Sequence, residues 1–246
     1  MAGRLYAGTS GFAYPDWAPR FYPPGARGAG LLRAYAARLP AVELNNTFYR
    51  QPRPATVGGW LAATPGDFRF TVKAQRGGAV RALLGDAAAT LAWLLPPYRL
   101  FGGRLGAVLY RVPQEIARDD RRLDALLRVW PAELPMAIEF QHPSWQVDEV
   151  HGRCREAGAA VCATERDESV EPPMLRLTAD FLYLRLRREH YDEAAIEAWA
   201  ARLEPFLADG RDAYVFFRHD AHGAAAERAL ALAGAVARRL DPAPRG

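Results

Sequence analysis

The stretch Phe68-Arg69-Phe70-Thr71-Val72-Lys73 is a short run of the kind that forms β-strands, and it ends on a lysine. Runs of this kind recur along the chain, and segments with helical spacing separate them. Regular alternation of strands and helices predicts parallel strands that are joined by helical crossovers. The predicted strands are Leu5–Thr9, Ala41–Leu44, Phe68–Lys73, Leu105–Tyr110, Met136–Phe140, Ala159–Ala163, Leu182–Leu186 and Ala213–Phe217.

The number of these units and the length of the chain predict an α/β protein with one closed (β/α)8 barrel, a TIM barrel. Barrels of this kind commonly use about 250 residues as one unit, and this chain has 246. The sixth unit is expected to be irregular, because Thr164–Thr178 contains Pro172-Pro173 and little helical periodicity. We expect one domain over residues 1–246, with 241–246 as a frayed tail. Predicted helices include Thr56–Ala63, Asp86–Leu95 and Ala224–Leu240.

The composition indicates an ordinary globular protein, with 50% hydrophobic and 24% charged residues. A formal net charge of +4 is compatible with a phosphate-bearing partner and does not require one. The beginning of the chain lacks the pattern of a signal peptide, and no apolar run approaches the roughly 18 residues that span a bilayer. We therefore expect a cytoplasmic protein with no membrane partner, whose two cysteines are reduced and buried. The sequence does not indicate an oligomeric state.

The make-up of the positive charge is unusual. Of 32 basic residues, Lys73 is the one lysine and the rest are arginines. A lysine that is kept in such a chain is a candidate for a role that guanidinium cannot fill, either as a compact point charge or as a nucleophilic amine. Its ammonium could bind an anion, pair with Glu43 or attack a carbonyl.

Polar residues at predicted strand ends define a candidate site, because barrels keep their chemistry at the carboxyl ends of the strands. The candidate catalytic residues are Lys73, Glu43, Glu139 and His142. Structural salt bridges are the alternative for Glu43 and Glu139, since an acid inside an apolar strand needs a partner. The candidate substrate-binding residues, with Trp17, Tyr49 and Trp145 as aromatic walls, are Ser10, Tyr14, Trp17, Asn45, Tyr49, Arg50, Arg111, Trp145, Arg185, Arg187 and Arg218.

Cofactor motifs are absent from the sequence. There is no Walker loop, no Gly-x-Gly-x-x-Gly that opens a helix, no His-Glu-x-x-His and no Gly-x-Ser-x-Gly. The five histidines, with His219 and His222 close together, leave a divalent metal site open, but solvated loop histidines are the favoured interpretation. We name no metal ligand and no cofactor.

Several segments also match, in order, the motifs of a known family. They are Gly8–Tyr14, Phe21-Tyr22-Pro23, Val42–Arg50, Thr64-Pro65 with Phe68–Lys73, and Glu139–Trp145. These segments resemble the YecE-like family, catalogued as domain of unknown function 72, and the likeness covers nearly the whole chain. The resemblance implies a barrel. It implies no reaction, because the family has no settled activity.

The chain departs from that family's usual pattern around the expected mouth of the barrel. The resemblance leads us to expect glutamine at Arg111, arginine at Gln141, a His-Gly pair at Arg187-Arg188 and an Asn-Asn pair at Arg218-His219. A Thr-His pair that usually follows the strand-end lysine is also missing after Lys73. The rim is thus shifted towards arginine, which implies a more anionic ligand or a lost activity.

Three functions fit these observations. The first is an enzyme (a hydrolase, lyase or isomerase) for a small anionic or phosphorylated substrate, with Lys73 and Arg185 as anion binders and Glu43, Glu139 and His142 in acid–base chemistry. The second is a nucleic-acid-binding or nuclease-like barrel, whose arginines bind the phosphates of the nucleic acid. The third is a non-catalytic ligand-binding protein. We rank the small-molecule enzyme first.

Overall fold

A sheet of nine parallel strands forms the centre of the protein in the computed structural model, which describes residues 2–241. The strands curve into a nearly closed barrel, and neighbours follow the order β6-β5-β4-β3-β2-β1-β9-β8-β7. They are β1 (Leu5–Ser10), β2 (Ala41–Leu44), β3 (Arg69–Lys73), β4 (Leu105–Val112), β5 (Met136–Phe140), β6 (Ala160–Val161), β7 (Ala163–Glu165), β8 (Phe181–Leu186) and β9 (Asp212–Phe217).

Strands β6 and β7 are two halves of one barrel wall that is interrupted at Cys162. β6 pairs only with β5, and β7 pairs only with β8, among the strand pairs of residues 2–241. At the interruption the Thr178 hydroxyl accepts a hydrogen bond from Val161 N (2.8 Å) and donates one to Ala159 O (2.8 Å). A side chain thus replaces a strand neighbour. The barrel prediction is confirmed, and its sixth unit is irregular because no helix follows β7 before β8.

Helices cover the outside of the sheet. Two of them, α3 (Arg76–Leu84) and the short α5 (Pro96–Arg99), were not predicted; Gly77 and Gly78 at the start of α3 are poor helix formers. Gly78 is nevertheless required by packing, since a Cβ there would lie 2.8 Å from the Trp93 ring. The helices are α1 (Ala29–Ala36), α2 (Pro54–Ala62), α3 (Arg76–Leu84), α4 (Ala87–Leu94), α5 (Pro96–Arg99), α6 (Asp120–Val129), α7 (Asp148–Glu156), α8 (Glu193–Ala208) and α9 (Ala224–Leu240).

The predicted element boundaries are close to the observed ones. Asp86, predicted as the first residue of a helix, instead caps α4 by accepting a hydrogen bond from Ala89 N at 3.0 Å. The start of α2 also differs, since this helix begins at Pro54, a residue suited to the first helical position, rather than at Thr56. The predicted frayed tail, apart from Asp241, lies outside the described residues.

The interior of the barrel changes character along its axis. Alternate residues of a strand face the same side, so Phe181, Tyr183 and Arg185 of β8 follow one another up the inside. The lower positions hold aromatic rings such as Tyr6, which stacks on Tyr214 with ring centroids 4.8 Å apart. Burial of each such ring contributes about 2 kcal/mol. The charged residues of the barrel interior are concentrated near the carboxyl ends of the strands, where the barrel opens.

Within the described chain, no helix combines the length and the apolar character that crossing a membrane requires. Both cysteines, Cys154 and Cys162, are buried free thiols.

Candidate functional site

A buried ion triad closes the inside of the barrel just below its mouth. The Arg185 guanidinium lies between two carboxylates, with Nε 3.1 Å from Glu43 Oε2 and Nη1 2.8 Å from Glu139 Oε1. All three side chains are at most 2% exposed. Burial is the largest single influence and would raise the pKa of both carboxyls, but Arg185, together with Lys73 at Glu43 or with Arg111 at Glu139 and with the hydrogen bonds to each carboxylate, holds each pKa well below its usual range.

Hydroxyl groups satisfy the remaining acceptors of the two carboxylates. Ser10 Oγ donates to Glu43 Oε1 at 2.6 Å, and Tyr183 OH donates to Glu43 Oε2 at 2.9 Å. Thr164 Oγ1 donates to Glu139 Oε1 at 2.8 Å. Carboxylates that are fully paired and strongly acidic are poor general bases. The geometry therefore favours the alternative interpretation of Glu43 and Glu139 as structural ion pairs.

Lys73 lies directly against this triad. Its Nζ is 3.1 Å from Glu43 Oε1 and donates a hydrogen bond to Asn45 Oδ1. Asn45 is itself held by its Nδ2, which donates to Ser10 O at 2.8 Å. Burial lowers the pKa of Lys73 to about 8, because it outweighs the attraction of Glu43 and is reinforced by Arg185 and Arg111. The amine of Lys73 is therefore partly neutral at mildly alkaline pH.

A second tier of arginines stands above the triad. Arg111, Arg187 and Arg218 each occupy the next inward position on a strand, or just past its end. Arg111 Nε donates to Glu139 Oε2, and Arg218 Nη1 is 3.9 Å from Asp167 Oδ2. The half-buried Arg187 makes no ion pair and no side-chain hydrogen bond with any residue of 2–241. Burial and the nearby Arg185 lower the pKa of Arg187.

These arginines line an open cleft of about 310 Å³ at the mouth, together with Gln141 and Asp167. The charged lining of the cleft consists of four arginines and three acids, which leaves an excess of one positive charge: Arg111, Arg166, Arg187 and Arg218 against Glu139, Asp167 and Glu168. A larger cavity of about 620 Å³ lies at the opposite end, where strands begin. We take the mouth as the candidate site because charged groups converge there, at the end where barrels of this class carry their chemistry.

Tyr14 and His219 flank the mouth on the side of β1 and β9. Their rings stack with centroids 4.8 Å apart and planes 8° from parallel. Tyr14 OH donates to Ser10 O at 3.1 Å, which ties this pair to the residues around Glu43. Burial lowers the pKa of His219, and the cations Lys73 and Arg187 lower it further. These surroundings favour the neutral form of the His219 imidazole.

Two predicted aromatic walls are wrong. Trp17 and Trp145 are both 0% exposed and belong to the core between the sheet and the helices. Trp17 Nε1 donates to Asp220 O and Trp145 Nε1 donates to Ile116 O, both at 2.8 Å. A buried indole with a satisfied N–H is a packing residue. Neither ring can stack on a ligand in the cleft.

Three other predicted residues lie apart from Lys73. His142 accepts a hydrogen bond from Ser144 N at 3.2 Å and so caps a short helical turn. Tyr49 is 78% exposed and packs edge-on against Phe48. Arg50 lines a separate surface cleft of about 230 Å³ near the start of α2. None of the three has a hydrogen bond or ion pair to Lys73, Glu43 or Glu139 in the described chain.

The sequence interpretation included Ser10 but missed the other hydroxyl partners of the triad, Tyr183 and Thr164, and the neighbouring Thr71. Thr71 and Tyr183, whose hydroxyl oxygens lie 3.0 Å apart, sit two residues before Lys73 and Arg185 on the same inward faces. Strand periodicity could have revealed both, since positions two apart share a face. No group of three or more His, Cys, Asp or Glu side chains within residues 2–241 is arranged to hold a metal ion.

Fold and site together define a (β/α)8 barrel whose mouth carries a buried Glu–Arg–Glu triad, an adjoining lysine and a tier of arginines. The model of the family described as "Protein of unknown function DUF72" matches residues 6–246. The chain belongs to this family.

Two curated proteins share part of the sequence. UPF0759 protein YunF of Bacillus subtilis (strain 168) is 27% identical over 157 residues, which cover 57% of this chain and 52% of YunF. UPF0759 protein YecE of Escherichia coli (strain K12) is 27% identical over 144 residues, which cover 57% of this chain and 50% of YecE. The match thus spans about half the length of each relative.

Solved structures of two family members share the fold over nearly its full extent. A DUF72 family protein of Enterococcus faecalis V583 superimposes with a TM-score of 0.76 at 19% identity, covering 95% of this chain and 96% of that one. A DUF72 family protein of Thermotoga maritima MSB8 has a TM-score of 0.69 at 26% identity, with coverage of 93% and 97%. These likenesses support the barrel.

Proposed function

We propose that this protein is an enzyme that binds a small anionic or phosphorylated substrate at the mouth of the barrel. Arg187 is the anchor for the anion, and Arg111 and Arg218 flank it. Lys73, which is 7% exposed and lies below the residues that line the cleft, is the group that exchanges a proton with a substrate reaching inward past the arginines. Glu43 holds Lys73 in place and is not itself the base. The reaction classes that fit this chemistry are the hydrolases, lyases and isomerases.

The observation that carries the proposal is the unpaired guanidinium of Arg187. A partly desolvated cation without a carboxylate in contact is unfavourable, and here repulsion by Arg185 and Arg111 opposes the more distant attraction of Glu139 and Glu43. Most other cations around the mouth have a carboxylate within 4 Å, whereas Arg187 has none among the described residues. A phosphate or carboxylate in the cleft would supply the missing negative charge through charge-assisted hydrogen bonds.

Lys73 supports the catalytic part of the proposal. A general acid–base group works best when its pKa is close to the working pH, and the pKa of Lys73 is lowered to about 8. The neutral amine can accept a proton from a bound substrate, and the ammonium can return it. Asn45 and Glu43 orient the amine, and the nearby arginines disfavour its charged form.

The nucleic-acid alternative has less support. Binding of single strands uses exposed aromatic rings on which bases stack. Trp17 and Trp145 are buried, and Tyr49 is not among the residues that line the cleft. A cleft of about 310 Å³ also matches a small ligand better than a polymer.

Inorganic phosphate tests the anion site. We expect phosphate to raise the melting temperature of the wild-type protein and of Arg27→Ala, an exposed control with the same loss of charge, but not of Arg187→Ala. A ligand present at about 100 times its Kd stabilises the folded state by about 2.7 kcal/mol. Equal shifts in all three proteins would contradict the site.

A panel of phosphorylated substrates tests the catalytic role. We expect Lys73→Met to keep the phosphate-induced shift and to lose turnover, because its side chain fills the same space without an ionisable group. Panel compounds that bind through Arg187 but are not turned over by the wild-type protein would contradict catalysis and favour the non-catalytic ligand-binding protein.

A further inference from the structure

The cleft at the mouth continues sideways into a second cavity of about 470 Å³. The two share the lining residues Gln141, Arg166 and Glu168, so a molecule in the cleft can extend into the cavity. From this continuity and from the hydrogen-bonding groups around it, we infer that the substrate is a sugar phosphate. Its phosphate lies at Arg187 and its hydroxyl-bearing body lies in the second cavity. The inference rests on the proposed function.

The irregular sixth unit of the barrel creates this cavity. The segment between β7 and β8 has no helix, and it places Ser169 and Met174 over the cavity instead. On the opposite side, the wall beside the interruption at Cys162 contributes the small residue Ala163. A regular helix in this unit would pack against the wall and fill the space.

The lining of the cavity is rich in hydrogen-bonding groups, and one of them lacks a partner. His151 of α7 is 4% exposed, and neither of its ring nitrogens has a hydrogen-bond partner among the described residues. Asp148 Oδ1 is 3.7 Å from His151 Nδ1, which is beyond hydrogen-bond range. Burial lowers the pKa of His151, so the neutral ring offers one donor and one acceptor. A buried polar group of this kind is unfavourable until something bonds to it.

The same lining disfavours a nucleobase as the body of the ligand. The phenyl ring of Phe140, which lines the cavity, is 6% exposed and stacks on Trp145 with centroids 4.8 Å apart. Its face is therefore occupied from within the core. Gln141, Gln146, Thr164 and Ser169 surround the space with amides and hydroxyls instead. Such groups match a polyol, which donates and accepts many hydrogen bonds and needs no stacking surface.

Calorimetric titration of the full chain with inorganic phosphate, ribose 5-phosphate and adenosine 5′-monophosphate tests the inference. We expect ribose 5-phosphate to bind the wild-type protein about tenfold more tightly than phosphate, as one or two added hydrogen bonds would produce. Ala163→Trp fills the cavity, and His151→Leu removes the unpartnered ring. Both variants should bind phosphate as the wild type does and lose the extra affinity for ribose 5-phosphate. The matched control Ala132→Trp, which places the same bulk at the opposite end of the barrel, should keep it.

The outcomes separate this inference from the proposed function. Equal affinity of the wild type for phosphate and ribose 5-phosphate, with phosphate binding that depends on Arg187, would overturn the inference of a sugar body. It would leave the proposed anion site unaffected. Tighter binding of adenosine 5′-monophosphate than of ribose 5-phosphate would overturn the inference that the cavity binds a polyol, and would indicate that it binds a nucleobase. Absence of binding by all three compounds would overturn the proposed function itself.

Discussion

Arg185 and Arg187 lie two residues apart on one side of the same barrel wall, and their surroundings are opposite. Arg185 is 1% exposed and contacts two carboxylates through three of its nitrogens. Arg187 is half-buried nearer the mouth and has no counter-ion in the described chain. The protein itself satisfies the inner arginine, whereas the outer one is the anchor of the proposed anion site. The comparison shows that two arginines on the same side of one wall can differ in whether the protein supplies their counter-ions, which position along the strand alone does not reveal.

The largest expected effect is the loss of the inner arginine. Arg185→Ala leaves Glu43 and Glu139 facing each other without a cation, so we expect the free energy of unfolding to fall by roughly 3–5 kcal/mol. Urea denaturation measures this change. The control Arg239→Ala, which removes a more exposed ion pair with Glu204, should cost no more than about 1 kcal/mol. Similar losses in both variants would show that the triad is not a central support of the barrel.

The next effect concerns Lys73 and pH. Its pKa is lowered from 10.5 to about 8 in the folded protein, so the unfolded chain binds more protons between these values. The contribution of Lys73 to stability should therefore increase as the pH rises through this window, by about 3 kcal/mol at about 1.4 kcal/mol per pKa unit.

Urea denaturation of the wild type and of Lys73→Met, at several values from pH 7 to about pH 11, measures this contribution as a difference. The other titrating groups are common to both proteins, so their contributions cancel in this difference. A difference that stays constant or falls with pH would mean that Lys73 remains a fully paired ammonium.

The smallest expected effect is the loss of the outer arginine. Arg187→Ala removes a cation that has no carboxylate within 4 Å in the described chain and whose burial and repulsion by Arg185 outweigh the distant attraction of Glu139 and Glu43, so the free protein should be unchanged or more stable, within about 1 kcal/mol. Thermal unfolding in phosphate-free buffer measures this difference in stability between the variant and the wild type. A loss comparable to that of Arg185→Ala would indicate a partner inside the protein and would remove the contrast between the two arginines.

Much of the fold could be predicted from local pattern. The strand runs, the helix stripes and the proline-rich sixth connection are local properties, and the barrel follows from their alternation and number. The positions of Lys73, Arg111 and Arg187 at the mouth follow from strand ends and from alternation along a strand. The ion pairs of the buried Arg185 do not follow from local pattern, because Glu139 and Glu43 are 46 and 142 positions away from it along the chain.

The wrong predictions concern residues just past the strand ends. Trp17 and Trp145 follow β1 and β5 closely, so position alone placed them at the mouth. Each instead turns back into the layer between sheet and helices, because an indole gains more by burial there than by standing at a polar rim. His142 follows β5 as well, but its ring caps the turn that carries Trp145. Local sequence does not specify which way such a loop folds.

The Thr178 hydroxyl has a consequence for the motions of the barrel. Neighbouring strands protect one another through rows of backbone hydrogen bonds, whereas Val161 N–H depends on one side-chain oxygen. Local opening at this point needs fewer bonds to break than separation of a full strand pair. The interrupted wall at β6 and β7, which also lines the second cavity, is thus expected to open transiently at lower cost than a continuous strand pair.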